Sequence, residues 1–123
     1  MLAYVTIGTN DLDKARAFYS TLMDKLGARP VVENERSTVW GNGPGKPMVM
    51  VCTPADGGEA TFGNGTMFTL QCDSKELVDE LHKIALDQGG ANEGDPGLRA
   101  NDRFYLAYAR DLDGNKLAFF TPA

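Results

Sequence analysis

Histidine occurs once in this sequence, at His82, so chemistry that needs two imidazoles is out of reach. Cysteine is nearly as scarce. Cys52 and Cys72 fall on different predicted strands and fit no metal-binding or redox spacing. They read as reduced, buried thiols, which points to a cytoplasmic protein. No cluster of Lys or Arg is present, and the formal net charge is −5. That argues against nucleic acid and against an anionic membrane as partners. Long apolar runs are missing as well: the longest, Met48 to Cys52, is far too short to cross a bilayer. Asp11, Asp13 and Lys14 leave no room for a secretory hydrophobic region near the start. What remains, at 123 residues, is the size of one domain with an ordinary core.

The strongest positive feature is an internal repeat. Residues 4–28 fall on residues 67–91 at an offset of 63 without a gap, with low letter identity but matching roles. Asn10 and Asp13 match Asp73 and Glu76, each pair readable as a helix N-cap and its reciprocal partner. Ala15, Phe18, Leu22 and Met23 match Val78, Leu81, Ala85 and Leu86, the apolar stripe of a helix. Gly27 matches Gly90, where a helix end favours a left-handed residue. Near the ends of the halves, KPMVMVCTP (46–54) and GNKLAFFTP (114–122) align at an offset of 68. One supersecondary unit is used twice.

Each unit reads as β-α-β-β-β. The first has a strand over 3–8, a helix over 11–26, and strands near 29–33, 37–41 and 47–53. A polar, glycine-rich linker over about 55–65 follows. The second has a strand over 66–72, a helix over 74–88 and a loosely defined segment over 91–102. It closes with strands near 103–110 and 116–121, joined at Asp113-Gly114-Asn115, a hairpin signal. The expected organisation is a single α+β domain over 1–123, with modules at about 1–54 and 66–123.

Strand alternation assigns faces. Val5, Ile7, Phe68 and Leu70 belong beneath the helices, so Tyr4, Thr6, Met67, Thr69 and Gln71 point away from them. On the closing strands, Met50 and Ala118 are equivalent, and Met48, Cys52, Lys116 and Phe120 share their faces. This mixed polar and apolar lining suits a ligand cleft; a second core or a subunit interface is the alternative. Trp40, on the third strand, is a further candidate for the lining, as a stacking surface for a flat or cationic ligand. Arg99, Arg103 and the acidic loop around Asp95 fall near the expected mouth of the second module.

The first strand with NDLDKARAFYSTLMDKLGARPV, and the final hairpin FYLAYARDLDGNKLAFFTP, resemble the vicinal oxygen chelate superfamily. That group holds glyoxalases, bleomycin-resistance proteins and extradiol dioxygenases. The likeness covers nearly the whole chain; Phe18-Tyr19 and the turn Arg110-Asp111-Leu112-Asp113-Gly114-Asn115 are its most specific pieces. It implies two βαβββ modules that curl a sheet around a cleft, and a pairing of chains into a homodimer. Leu117, Phe119 and Phe120, more apolar surface than one helix layer needs, agree with that pairing.

The resemblance also implies a divalent metal held by His, Gln and Glu from symmetry-related strands. The aligned positions here are Tyr4, Met50, Met67 and Ala118, none a usual ligand for a hard or borderline divalent ion. No metal and no other cofactor is expected, and glyoxalase or dioxygenase chemistry would lose its Lewis acid. His82 matches Tyr19 on the helix, half-exposed and away from the cleft. Cys52 presents either a thiol to the cleft or an inert buried sulfur. Tyr4 either hydrogen-bonds a ligand or fills the vacated metal cavity. GNGPGKP lacks the Ser/Thr and the following helix of a phosphate loop. DLDGNK lacks the glycine position and the bidentate Glu of a calcium loop. Three readings stand: a metal-free small-molecule binding protein, similar in outline to drug-sequestering relatives; a lyase, isomerase or dioxygenase-like enzyme with a non-standard site; and a regulatory relative with a filled cleft.

Overall fold

The computed structural model describes all residues from Met1 to Ala123. The chain forms two compact units, Met1–Phe62 and Gly63–Ala123. In the first, β1 (Tyr4–Gly8) is followed by α1 (Leu12–Lys25), β2 (Arg29–Glu33), β3 (Ser37–Gly41) and β4 (Met48–Cys52). The second repeats the order as β5 (Met67–Gln71), α2 (Lys75–Asp87), β6 (Ala91–Arg99), β7 (Phe104–Arg110) and β8 (Lys116–Pro122). Each unit folds into one four-stranded mixed sheet, ordered β1-β4-β3-β2 and β5-β8-β7-β6. The first and last strands of each unit pair in parallel, the others antiparallel. A parallel pair needs a long crossover, and the helix with its two intervening strands supplies it. No helix is long and apolar enough to cross a membrane.

Local chemistry sets the helix ends, one residue away from some of the positions the repeat indicates. The N-caps are Asp11, whose Oδ1 accepts from the Lys14 N–H at 3.1 Å, and Ser74, whose Oγ accepts from the Leu77 N–H at 3.1 Å. Asn10 is not the cap: its side chain accepts from the Ala60 N–H at 2.7 Å and donates to the Ala60 carbonyl at 3.2 Å. It therefore holds residue 60 of the expected linker against the start of α1. Both helices end in paired Schellman bonds. In α1, Gly27 donates to Asp24 at 3.0 Å and Ala28 to Met23 at 2.9 Å, with Gly27 at φ 72°. In α2, Gly89 donates to Leu86 at 3.1 Å and Gly90 to Ala85 at 2.9 Å. The left-handed residue there is Gly89, at φ 97°, and not Gly90. Because α2 is 13 residues against 14 for α1, the motif arrives one position early.

Each helix lays its apolar stripe on its own sheet. Phe18, Tyr19 and Leu22 of α1 are buried, as are Val78, Leu81 and Ala85 of α2. Burying one such Leu or Phe contributes roughly 1.5–3 kcal/mol. The sheet residues beneath them come from alternate strand positions: Ile7, Trp40, Val49 and Val51 in the first unit, Leu70, Ala107, Ala109, Leu117 and Phe119 in the second. Leu117 and Phe119 are thus consumed inside their own unit, which removes them as dimer-forming surface. The segment over 91–102 resolves into a nine-residue edge strand, β6, and a turn. Its pairing with β7 shifts between Asn92 and Gly94 and again between Gly94 and Gly97. Two such irregularities destroy the period-2 signal, and an edge position tolerates Pro96, which has no N–H to donate.

Candidate functional site

Every strand residue that does not face a helix faces away from it, so each unit presents one open sheet face. In the first unit Tyr4 stands in register with Met48 and Thr6 with Met50, and Val39 of β3 pairs with Met50. Tyr4 is 52% exposed, Thr6 is exposed, and Met48, Met50 and Val39 are half-buried. Cys52 continues the row between Gly8 and Ser37 but is buried. This face is short of charge and rich in thioether, a polarizable surface that adapts to irregular apolar shapes.

The open face of the second unit mixes apolar residues with charged and polar ones. Met67 pairs with Lys116, Thr69 with Ala118 and Gln71 with Phe120. Met67 is 42% exposed, and Thr69 and Gln71 are exposed. Ala118 is fully buried and brings no donor atom, while Phe120 is half-buried against Phe104, ring centroids 5.2 Å apart. On β7, Leu106, Tyr108 and Arg110 pair with Phe120, Ala118 and Lys116, so they share this face. Two cations meet the Tyr108 ring: the Lys116 Nζ lies 5.3 Å from its centroid and the Arg99 Cζ 5.7 Å. The Arg99 Nη2 donates to the Asp95 carbonyl at 2.8 Å and its Nη1 to the Leu98 carbonyl at 3.3 Å, which fixes the guanidinium. Gly94 makes room for the tyrosine, since a Cβ there would stand 2.7 Å from its Cδ2. Arg110 pairs with Glu93 at 3.1 Å.

Trp40 does not join either open face. It pairs with Val49, which faces α1, and one residue of register decides the face of every side chain. Trp40 is 2% exposed, its ring centroid 6.2 Å from that of Tyr19, and its Nε1 is buried without a hydrogen-bond partner. It is a core residue. His82 is also buried rather than half-exposed, at 5%, with Nε2 3.0 Å from the Asn92 Oδ1. Asn92 in turn donates to the Asp95 Oδ1 at 2.7 Å, so the imidazole anchors the irregular edge strand to α2. Cys72 is buried, and that burial pushes its thiol up to about 11. Tyr105 is raised by its hydrogen bond to Asp79, 2.6 Å away on α2, which puts it on the helix side of β7.

The residues missed in the sequence are Tyr108, Leu106, Val39 and Glu93. A usable signal existed for the first two: Ala107 and Ala109 are small enough to lie under a helix, so Leu106, Tyr108 and Arg110 must face the other way. Across the repeat, Val39 is the counterpart of Tyr108, because each pairs with an equivalent residue, Met50 or Ala118.

The four positions that the resemblance aligns with metal ligands do not fit a divalent ion here. Ala118 offers no donor, Met50 and Met67 offer soft thioethers, and Tyr4 a phenol oxygen. No group of three or more His, Cys, Asp or Glu side chains is gathered where it could hold a metal.

Comparison with known proteins places these features in a family. The family model of the Glyoxalase/Bleomycin resistance protein/Dioxygenase superfamily matches residues 1–119. A glyoxalase/bleomycin resistance protein from Albidiferax ferrireducens T118 has a similar structure, TM-score 0.89, at 36% identity over 98% of this chain and 97% of that one. A glyoxalase/bleomycin resistance protein/dioxygenase family enzyme from Burkholderia phytofirmans PsJN gives 0.74 at 21% identity, over 96% and 95%. A lactoylglutathione lyase from Agrobacterium tumefaciens gives 0.68 at 23%, over 98% and 92%. The last two share the fold alone. Curated protein sequences give no match.

Proposed function

This chain belongs to the Glyoxalase/Bleomycin resistance protein/Dioxygenase superfamily, and from that premise we propose that it is a small-molecule binding protein working without metal or other cofactor. The observation that carries this reading is the donor set. At the positions that the resemblance aligns with metal ligands this chain has Tyr4, Met50, Met67 and Ala118, and no group of three or more His, Cys, Asp or Glu side chains is gathered elsewhere. Lewis-acid activation of a carbonyl or of oxygen needs an ion that these side chains do not retain.

The open faces support binding. Tyr4, Thr6, Met67, Thr69 and Gln71 remain exposed, so the β1 and β5 sides of these faces are uncovered even though Cys52 and Ala118 are buried, which tells against a plugged, purely regulatory relative. Apolar and polar surface are interspersed, the composition of small-molecule sites. The groups with raised pKa values, Cys72, Lys83 and Tyr105, are buried in the core, on α2 or on the helix side of β7, away from these faces. Acid–base catalysis therefore gains no support from them.

The proposal includes a homodimer, on the strength of the resemblance and of exposed apolar residues such as Leu2, Val31 and Val32. Gel filtration with light scattering tests it, and a monomer at micromolar concentration removes it. Binding itself is tested by thermal shift in the presence of a chelator, with a library of anionic, neutral and cationic small molecules. A ligand at a hundred times its Kd adds about 2.7 kcal/mol of stability, a shift of several degrees. A library in which nothing raises the Tm, or in which stabilisation requires added metal, contradicts the proposal.

A further inference from the structure

The second unit brings two cations to one aromatic ring, whereas the matching face of the first carries only Arg29, on its edge strand. Arg99 and Lys116 are brought to one ring, that of Tyr108, at 5.7 and 5.3 Å from its centroid, in a chain whose net charge is −5. Neither cation is paired with a carboxylate. Of the two acids on β6, Glu93 is engaged by Arg110 at 3.1 Å and the Asp95 carboxylate accepts from the Asn92 Nδ2 at 2.7 Å. Both cations are half-buried, so their charge is less screened than on an open surface.

Their donors are also unspent. A guanidinium carries five N–H groups, and Arg99 uses two, on the Asp95 and Leu98 carbonyls. Those two bonds hold the group in place without neutralising it. The Lys116 ammonium has three donors, lies against the Tyr108 ring and stands in register with Arg110 and Met67. Gly97 lets the guanidinium lie down: a Cβ there would come 2.8 Å from the Arg99 Nη1.

The repeat shows that the fold does not require this cluster. At the matching positions of the first unit stand Met48 for Lys116 and Val39 for Tyr108, and the same βαβββ unit forms around them. A structural role common to both units would have kept a cation and an aromatic ring at these positions in both. We propose that Arg99 and Lys116, arrayed on Tyr108, bind the oxyanion group of a small molecule, a carboxylate or a phosphate. The fork of Arg99 matches the planar spacing of such oxygens, and Lys116 adds a point charge. This rests on the binding reading above and narrows its ligand to an anion.

The test is a 1H–15N titration of the full chain with sodium phosphate and with sodium acetate, each against sodium chloride at equal ionic strength. Saturable shifts of the Gly94, Arg99, Tyr108 and Lys116 amides are expected with at least one oxyanion. Tighter saturation by phosphate assigns a phosphate ligand, and tighter saturation by acetate a carboxylate. Arg99→Gln and Lys116→Met should each weaken binding at least tenfold. Lys116→Met installs the residue that the first unit already tolerates, so the variant is expected to fold. Lys83→Gln, at an exposed lysine of α2 on the other side of the sheet, should leave binding unchanged. Shifts that chloride reproduces, or that survive Arg99→Gln and Lys116→Met, overturn the proposal. If oxyanions fail while a neutral or cationic compound still raises the Tm, this inference falls and the binding reading stands. If no compound of any charge raises it, the binding reading falls too.

Discussion

Replacing Gly90 with alanine should be far more damaging than replacing Gly27, although the two occupy the same place in the repeat. Gly27 is at φ 72° with no atom within 4 Å of an added Cβ. Alanine there meets only the left-handed backbone penalty, about 1 kcal/mol once the loss of unfolded-state freedom is allowed for. Gly90 lies in a tighter place: its Cβ would stand 2.7 Å from the Ala85 oxygen and 2.7 Å from the Arg110 oxygen. Both are backbone atoms, one at the end of α2 and one in β7, so no side chain can swing aside. Relief requires the helix terminus and the strand to separate, which strains the bond from Gly90 to Ala85, now 2.9 Å. Overpacking costs roughly 1–3 kcal/mol, and two backbone contacts place this case near 3. For a chain of this length, a kilocalorie corresponds to about 4 °C of Tm. Thermal unfolding followed by circular dichroism should therefore show a loss of about 4 °C for Gly27→Ala and about 12 °C for Gly90→Ala. Equal losses, or a larger one at Gly27, would refute the argument that close approach rather than backbone conformation fixes Gly90.

Three further predictions concern turns and titration. Asp111 is buried and accepts from the Asp113 N–H, the Asn115 N–H and the Asn115 Nδ2, each at 2.9 Å, so Asp111→Ala should cost about 3 kcal/mol in urea unfolding; a cost below about 1 kcal/mol contradicts a structural role for this turn. Ala100, Asn101 and Asp102 are successive non-glycine residues at φ 55°, 56° and 63°, so Ala100→Gly should raise the Tm by about 2 °C, and a fall would show that the left-handed turn carries no strain. Cys72 is raised from 9.0 to about 11, chiefly by burial, with the Phe120 backbone hydrogen bond opposing and Asp73 reinforcing the shift. Between those values the unfolded thiol ionises while the folded one keeps its proton, so stability falls as pH rises through that window. Tyr105 is raised as well and adds to the same alkaline loss, so the measurement is the difference in slope between the natural chain and Cys72→Ala. Identical slopes would remove Cys72 from the account.

The fold was largely legible in the sequence because duplication gives every element a second witness. Nine of the ten elements could be read from alternation, helical stripes and caps; the exception, β6, is an edge strand whose two register shifts and Asp95-Pro96-Gly97 stretch imitate a loop. Helix ends were displaced by one residue because neighbouring polar residues compete for the cap. Asn10 looked like the cap, but its side chain is spent on Ala60, which is fifty positions away in sequence and invisible to a local pattern. The candidate site was legible in part. Alternation within β1 and β5 places Tyr4, Thr6, Met67, Thr69 and Gln71 away from the helices, but the face of Trp40 depended on its cross-strand partner, Val49. Lys116 was visible as a face residue, whereas its meeting with Arg99 over Tyr108 depends on the bulged strand and on the room left by Gly94 and Gly97.

The measurement that bears most directly on the central claim is metal stoichiometry. Chelator-treated protein is dialysed against nickel, zinc or manganese, the bound metal is quantified, and each ion is titrated by calorimetry. The account predicts less than a tenth of an equivalent bound and no saturable heat, because Tyr4, Met50, Met67 and Ala118 supply no adequate donor set. One equivalent of any of these ions held tightly, and lost on substitution of Tyr4 or Met50, would contradict it.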